Sequence, residues 1–334
     1  MASSHHTGRS PATRTSRAQR LPFTPKITTR KDLLKAYLTK PPSLALKAII
    51  ERAKSKVKAK GKQAQKPPRH TRGLSPPTVR VEHRTYVFDE TGEEMPYALA
   101  MPRTDPPRGG RPLLLALHGL GYPYEWACEL EPLLAFAAEH GILIVAPLGY
   151  SEGGWYGAPD LTCGGDIGVE QRRSYADVMN VLGRVRAEFK VDPKQIFAWG
   201  FSMGGGGALH FAVQNTHLFR GIGLVAPAIA APRAGIPPWT KQPDVDLSSI
   251  AHVAVASVYG THDPLVSAPT CRELRDDLRA AGVHKLLSIE VQGGRHDCEA
   301  LVGEGRLERM LRFIMGLDGP AALPKARIGD EGVE

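Results

Sequence analysis

Cysteine is scarce in this chain of 334 residues. The four present, Cys128, Cys163, Cys271 and Cys298, form no CxxC pair and share no ligand spacing with a histidine. That excludes a disulfide-stapled scaffold and a zinc site, and leaves buried free thiols or a single disulfide. No apolar run approaches the ~18 residues of a membrane-spanning helix. The N-terminus lacks the apolar stretch of a secretory leader, so export is not expected and the cytoplasm is the expected compartment. Acid is missing from residues 1–30 altogether.

What is present divides sharply by charge. Residues 1–78 hold 19 Lys and Arg against Asp32 and Glu51, a net of +17, whereas the remainder holds 24 basic and 32 acidic residues, a net of −8. The formal charge of +9 for the whole chain therefore belongs to an appended segment, not to a basic catalytic surface. Residues 1–30 are Arg-, Ser- and Thr-rich low-complexity chain of disordered type. Residues 32–60 have the spacing of basic amphipathic helices on either side of Pro41-Pro42, and "KPPRHTRGLSPP" reads as a linker. Three readings of this arm stand side by side: a solvated tail, an organelle transit peptide, or an electrostatic contact with nucleic acid or anionic membrane.

From Thr78 the pattern changes. Strands "TVRVEHRTYVF" and "MPYALAMP" flank a turn at Thr91-Gly92, and "RPLLLALHGLG" is a buried strand ending in a glycine turn. A helix over 126–139, a strand "ILIVAP" and a helix over 170–189 follow. Next come the strand "KQIFAWGF" after a turn-like "VDP", a helix after Ser202, and the strands "GIGLVAPAIA" and "VAVASVYG". A helix over 269–281, the strand "LLSIEVQGG" and a helix over 304–315 complete the series. Such alternation implies an α/β fold, with a mostly parallel central sheet and helices on both faces. The Pro-rich segment 228–249, carrying Trp239, interrupts it and reads as a cap. The expected division is a basic arm and linker over 1–77, a catalytic domain over 78–317 and a tail over 318–334.

Within that domain "GFSMGGGG" places Ser202 between Gly200 and Gly204, at the passage from a strand to a helix. Glycine costs roughly 0.5 to 1 kcal/mol inside an element, so such a cluster needs a geometric reason. A serine turned sharply out of the top of a sheet, a nucleophile elbow, supplies one. A serine hydroxyl needs a general base, normally an imidazole oriented by a carboxylate, and site residues in open α/β sheets gather at the carboxyl ends of strands. Asp263 follows "VAVASVYG" and His296 follows "LLSIEVQGG", so both stand at such ends. Asp297 adjoins His296, but neighbours on a turn seldom face each other, which favours Asp263. The oxyanion formed at the tetrahedral carbon needs amide donors. The "LHGLG" turn offers Leu120 and the elbow offers Met203. Tyr122, Trp155, Tyr156 and Trp239 are aromatic candidates for the substrate pocket.

On the strength of "LLLALHGLG", "ILIVAPLGYSEGGWYG", "VDPKQIFAWGFSMGGGGAL", "VYGTHDPLV" and "VQGGRHDCE", the chain from about 79 to 316 resembles an α/β-hydrolase serine esterase. The likeness is to the polyhydroxybutyrate-depolymerase-like, feruloyl-esterase-like and prolyl-oligopeptidase-like small hydrolases. The resemblance implies hydrolysis of a small-molecule ester without metal or organic cofactor. The bulky "YPYEW" departs from the Gly or Asp often found after the oxyanion loop. A peptidase or amidase of the same fold is the alternative, disfavoured because no N-terminal propeller precedes the domain. A tethered binding protein with a hydrolase-like fold is the alternative from another class, and the complete triad opposes it.

If the arm is a tether, a protein starting at Thr78 should keep its fold and its kcat on soluble esters. The full chain should bind DNA or anionic vesicles with an affinity that falls steeply with salt, and the truncated chain should not. Loss of turnover in a folded, truncated protein would show that the arm builds part of the site.

Overall fold

The apolar runs are strands of one sheet. The fold is known from a computed structural model that describes residues 78–159, 167–229 and 246–318. The arm, Cys163, most of the expected cap with Trp239, and the tail beyond Asp318 lie outside the described residues. Strands β1 (Val79–Val87) and β2 (Glu94–Pro102) form the hairpin expected around Thr91-Gly92. There follow β3 (Arg111–Leu117), β4 (Leu143–Pro147), β5 (Val191–Phe201), β6 (Gly221–Val225), β7 (Ala254–Gly260) and β8 (Leu286–Val291). The sheet order is β1-β2-β4-β3-β5-β6-β7-β8. Only β1 on β2 and β2 on β4 pair antiparallel, and the remaining pairs are parallel.

Among the described residues six α-helices cover the two faces: α1 (Glu131–His140), α2 (Val169–Glu188), α3 (Met203–Gln214), α4 (Ala268–Ala280), α5 (Cys298–Val302) and α6 (Arg306–Met315). Successive strand side chains point to opposite faces, so β3 feeds two cores. Leu113, Leu115 and Leu117 join one with Val178, Val181 and Val185 of α2 and Leu209 of α3. Leu114 and Ala116 join the other with Leu133 and Phe136 of α1 and Met310, Leu311 and Ile314 of α6. Each such side chain taken wholly out of water contributes about 1.5 to 3 kcal/mol, and the central strands, buried on both sides, therefore read as continuous apolar runs.

Some boundaries differ from expectation. The helix over 126–139 is a 3₁₀ turn at Tyr124–Glu129 followed by α1, because Pro132 sits in the first turn of α1, where its missing amide costs nothing. The "VDP" segment lies inside β5, where Val191 pairs with Arg111 across a register shift. The helix expected over 304–315 is α6, starting at Arg306, and an unexpected short helix, α5, precedes it across Gly303–Gly305. Cys128, Cys271 and Cys298 are buried free thiols, and burial pushes Cys128 and Cys271 up to about 12, which keeps them protonated and unreactive.

His210, on α3 beside Tyr175 and Phe211, is held down to about 4 by burial. An imidazole depressed in the folded state binds its proton sooner in the unfolded chain. Its contribution is therefore complete above the unfolded value near 6.5 and is lost as pH falls towards 4. Urea unfolding followed from pH 7 to 4 should lose of the order of 3 kcal/mol through this group, and His210→Gln should flatten the profile by that amount. Parallel profiles in the two proteins would remove His210 from the account.

Candidate active site

The chain leaves β5 at Phe201 and turns into α3 through Ser202, whose backbone takes φ 56°, ψ −116°. A non-glycine residue there is strained by about 1 to 3 kcal/mol, and the surroundings hold it. Its amide donates to the Val225 carbonyl at 2.8 Å, and its own carbonyl accepts from Gly206 at 3.0 Å and Ala228 at 2.9 Å. The flanking glycines are required by close approach. A Cβ on Gly200 would lie 2.2 Å from the Gly204 carbonyl oxygen, and one on Gly204 would lie 2.1 Å from that of Leu117. The helix start is thus pressed directly onto the end of β3.

Asp263 and His296 arrive on loops that are tied to each other. Thr261 donates its amide to Val291 at 3.0 Å, His262 to Gly294 at 2.9 Å, and Gly293 to the Thr261 hydroxyl at 2.8 Å. Asp263 Oδ1 accepts from the amides of Leu265 and Val266 at 2.8 and 2.9 Å, which leaves Oδ2 for His296 Nδ1 at 2.6 Å. His296 Nε2 stands 2.9 Å from Ser202 Oγ. Because an ionised carboxylate only accepts, the imidazole proton sits on Nδ1, and Nε2 is the acceptor for the serine hydroxyl. The Asp263 and His296 side chains are 0% and 7% exposed, so water does not compete for this line of bonds. Asp297, the rival carboxylate, accepts from Ala300 as the N-cap of α5.

The segments that carry the two oxyanion candidates adjoin, since a Cβ on Gly119 would lie 3.3 Å from the Phe201 carbonyl oxygen. Met203 supplies the first amide of α3, which has no carbonyl one turn back within the helix. Leu120 occupies the second position of a turn closed by the Tyr122 amide on the Gly119 carbonyl at 3.0 Å, with Gly121 at φ 75°. The turn's own bond uses Tyr122 and leaves the Leu120 amide out of it. The His118 ring beneath is wholly buried, with Nδ1 2.9 Å from the Gly119 oxygen and Nε2 2.9 Å from the Leu148 oxygen. Burial pushes its pKa down, while the two carbonyl oxygens, which can only accept, act against that shift.

Of the aromatic pocket candidates, Tyr122 is half-buried beside the oxyanion turn and packs edge-on to Phe201 and Trp126. Trp155 and Tyr156 do not line an open mouth. They are 4% and 1% exposed, turned inward by backbone at φ 54°. Trp239 lies outside the described residues. Supporting residues not foreseen from sequence are Phe201, whose ring lies 4.8 Å from that of His296, and the α2 pair Ser174 and Asp177. The α2 pair does leave a trace in the sequence, since both are polar residues in register with Val178, Val181 and Val185 on the apolar stripe. Among the described residues no group of three or more His, Cys, Asp or Glu side chains could hold a metal ion.

Residues 89–284 match the sequence pattern of the Esterase family, described as "Putative esterase". The chain belongs to this esterase family. A curated relative, "Putative esterase NocK" of Nocardia uniformis subsp. tsuyamanensis, is 33% identical over 159 residues, which are 47% of this chain and 41% of that protein. The match thus spans less than half of the relative's length. Among solved structures, an S-formylglutathione hydrolase from Agrobacterium tumefaciens superimposes with a TM-score of 0.55 at 17% identity, over 72% of this chain and 98% of that one. A ferulic acid esterase of Anaeromyces mucronatus does so with a TM-score of 0.52 at 18% identity, over 75% and 94%. At these identities the two structures establish the α/β-hydrolase fold of this esterase.

Two glycine substitutions test the packing. Gly204→Ala should cost about 3 kcal/mol or more, since backbone rather than a side-chain tip blocks the new methyl. Gly183→Ala, in α2 where a Cβ meets nothing within 4 Å, should stabilise by roughly 0.5 to 1 kcal/mol. Denaturant titration reads both, and equal effects would refute the close contact of α3 with β3.

Proposed function

We propose that the protein hydrolyses carboxylic esters through an acyl-enzyme, with Ser202 as nucleophile, His296 as base and Asp263 as its orienting carboxylate. The observation that carries this reading is the unbroken line from Asp263 Oδ2 to His296 Nδ1 (2.6 Å) and from His296 Nε2 to Ser202 Oγ (2.9 Å). Ser202 Oγ attacks the ester carbonyl carbon as its proton passes to Nε2. The carbonyl oxygen becomes an oxyanion held by the amides of Leu120 and Met203. Collapse expels the alcohol, which takes the proton from Nε2 and leaves the acyl group on Oγ. Water then repeats the sequence, giving its proton to Nε2, and the acid departs as Ser202 recovers its hydrogen.

Small or aryl-bearing esters suit the half-buried Tyr122 beside the oxyanion turn. The solved neighbours named as S-formylglutathione hydrolase and ferulic acid esterase support the same range. The division into arm (1–77), catalytic domain (78–317) and tail (318–334) is supported by the reversal of charge near Thr78 and by a family match confined to 89–284. Contact of the arm with nucleic acid or anionic membrane rests on that charge alone. Among the described residues no helix is long and apolar enough to cross a membrane.

Ser202→Ala should abolish both p-nitrophenyl ester turnover and labelling by a fluorophosphonate probe. Loss of Ser202 or of His296 should each lower kcat by about 10⁶, and the double variant should be no worse, because the two act as a unit. Asp263→Asn should cost about 10⁴ through the wrong imidazole tautomer. Multiplicative losses in the double variant, or labelling that survives Ser202→Ala, would assign the chemistry elsewhere.

A further inference from the structure

The segment after β4 carries more backbone strain than any other described loop. Tyr150, Trp155 and Tyr156 all have positive φ, at 63°, 54° and 54°. A left-handed non-glycine residue is strained and persists only where its surroundings over-determine it. Here α2 does the holding. Asp177, wholly buried, accepts on Oδ2 from the amides of Gly149 at 2.7 Å and Tyr150 at 2.8 Å, and on Oδ1 from the Tyr86 hydroxyl at 2.5 Å. Burial pushes this carboxyl's pKa up, while the three donors act against that shift. One turn earlier on α2, Ser174 Oγ accepts the Tyr156 amide at 3.0 Å.

All this strain aims one side chain. The Tyr156 ring lies where side chains on Gly149 and Gly207 would collide with it, at 2.6 and 2.7 Å from their hypothetical Cβ atoms. Its hydroxyl donates to the His118 carbonyl at 3.2 Å, and its ring meets the His118 ring edge-on at 5.5 Å. That carbonyl is two residues before Leu120. The Leu120 amide belongs to the next peptide, whose Gly119 carbonyl accepts from Tyr122, so the two successive peptides are anchored one by Tyr156 and the other by the turn's own bond.

We propose that Tyr156 is a positioning residue for the oxyanion hole: by holding the His118 carbonyl it fixes the Leu120 amide where negative charge develops. The inference rests on the serine-esterase reading above. Oxyanion donors act by being in place before charge forms, so a loosened donor raises the barrier to the tetrahedral species more than it weakens substrate binding. An ordinary core tyrosine would give the opposite pattern, a loss of stability with kcat intact.

The test is Tyr156→Phe, which keeps the ring and removes the bond. With a p-nitrophenyl ester, kcat should fall about three- to tenfold, the worth of one hydrogen bond, with KM unchanged. A trifluoromethyl ketone, which forms a bond from its carbonyl carbon to Ser202 Oγ as the serine proton moves to His296, should lose affinity by the same factor. The urea midpoint should fall with the loss of one buried bond under either reading, so kcat and not stability decides between them. Ser174→Ala frees the same turn from its other side without disturbing the ring and should show the same selective loss. Parent-level kcat in either folded variant, or a stability loss without a kcat loss, would overturn the inference. Turnover that survives in Ser202→Ala would instead overturn the serine reading, so the two failures are distinct.

Discussion

The contact between the start of α3 and the end of β3 governs the site. With no side chain at Gly204, the helix backbone lies against the Leu117 and His118 carbonyls. This one approach brings together parts from three strand ends. It turns Ser202 outward at φ 56°, sets the start of α3 against the chain leaving β3, and leaves room at Gly207 for the Tyr156 ring. Each glycine loses more chain entropy on folding than alanine would. The apolar layers beneath, wholly buried along β3 and β5, offset that cost and keep the junction closed.

Two buried carboxylates then organise the loops around this junction in the same way. Asp263 and Asp177 each accept two consecutive backbone amides on one oxygen and a side-chain donor on the other. An ionised group taken out of water is tolerable only when its lone pairs are met. The amides that meet them are thereby locked, and so is the loop that carries them. Asp263 uses this to aim His296; Asp177 uses it to hold the strained turn that ends in Tyr156. A carboxylate is suited to both tasks because it accepts several bonds and has no proton to misplace.

The parts of the site that were legible in the sequence are those written as local chemistry at strand ends. A serine between glycines, an aspartate after one apolar run and a histidine after the next come within hydrogen-bonding distance as their positions implied. What was not legible depends on direction. "GGWYG" reads as an aromatic mouth, yet the left-handed backbone at Trp155 and Tyr156 turns both rings into the core, and no residue type announces that sign of φ. Likewise "VDP" has turn chemistry, but pairing of Val191 with Arg111 extends β5 through it. Asp177 was visible only as a polar residue on an apolar helical stripe, a pattern that gains meaning once Gly149 and Tyr150 are seen opposite it.

Strain in this fold is not scattered. Of the six non-glycine residues at positive φ among the described residues, five, Tyr150, Trp155, Tyr156, Ser202 and Ala226, follow the carboxyl ends of β4, β5 and β6. The sheet's opposite edge has none of them. Parallel strands buried on both faces can deliver functional groups only at their ends, and chain leaving a buried strand must turn at once to reach the site. The turns are held by bonds to neighbouring strand ends, as Ala226 donates to Val258 and Ser202 to Val225. Relaxing any one of them would require its neighbour to move as well. The rigidity of these turns is therefore a property of adjacent strand ends acting together, and the two cores of the sheet supply the free energy that keeps them strained.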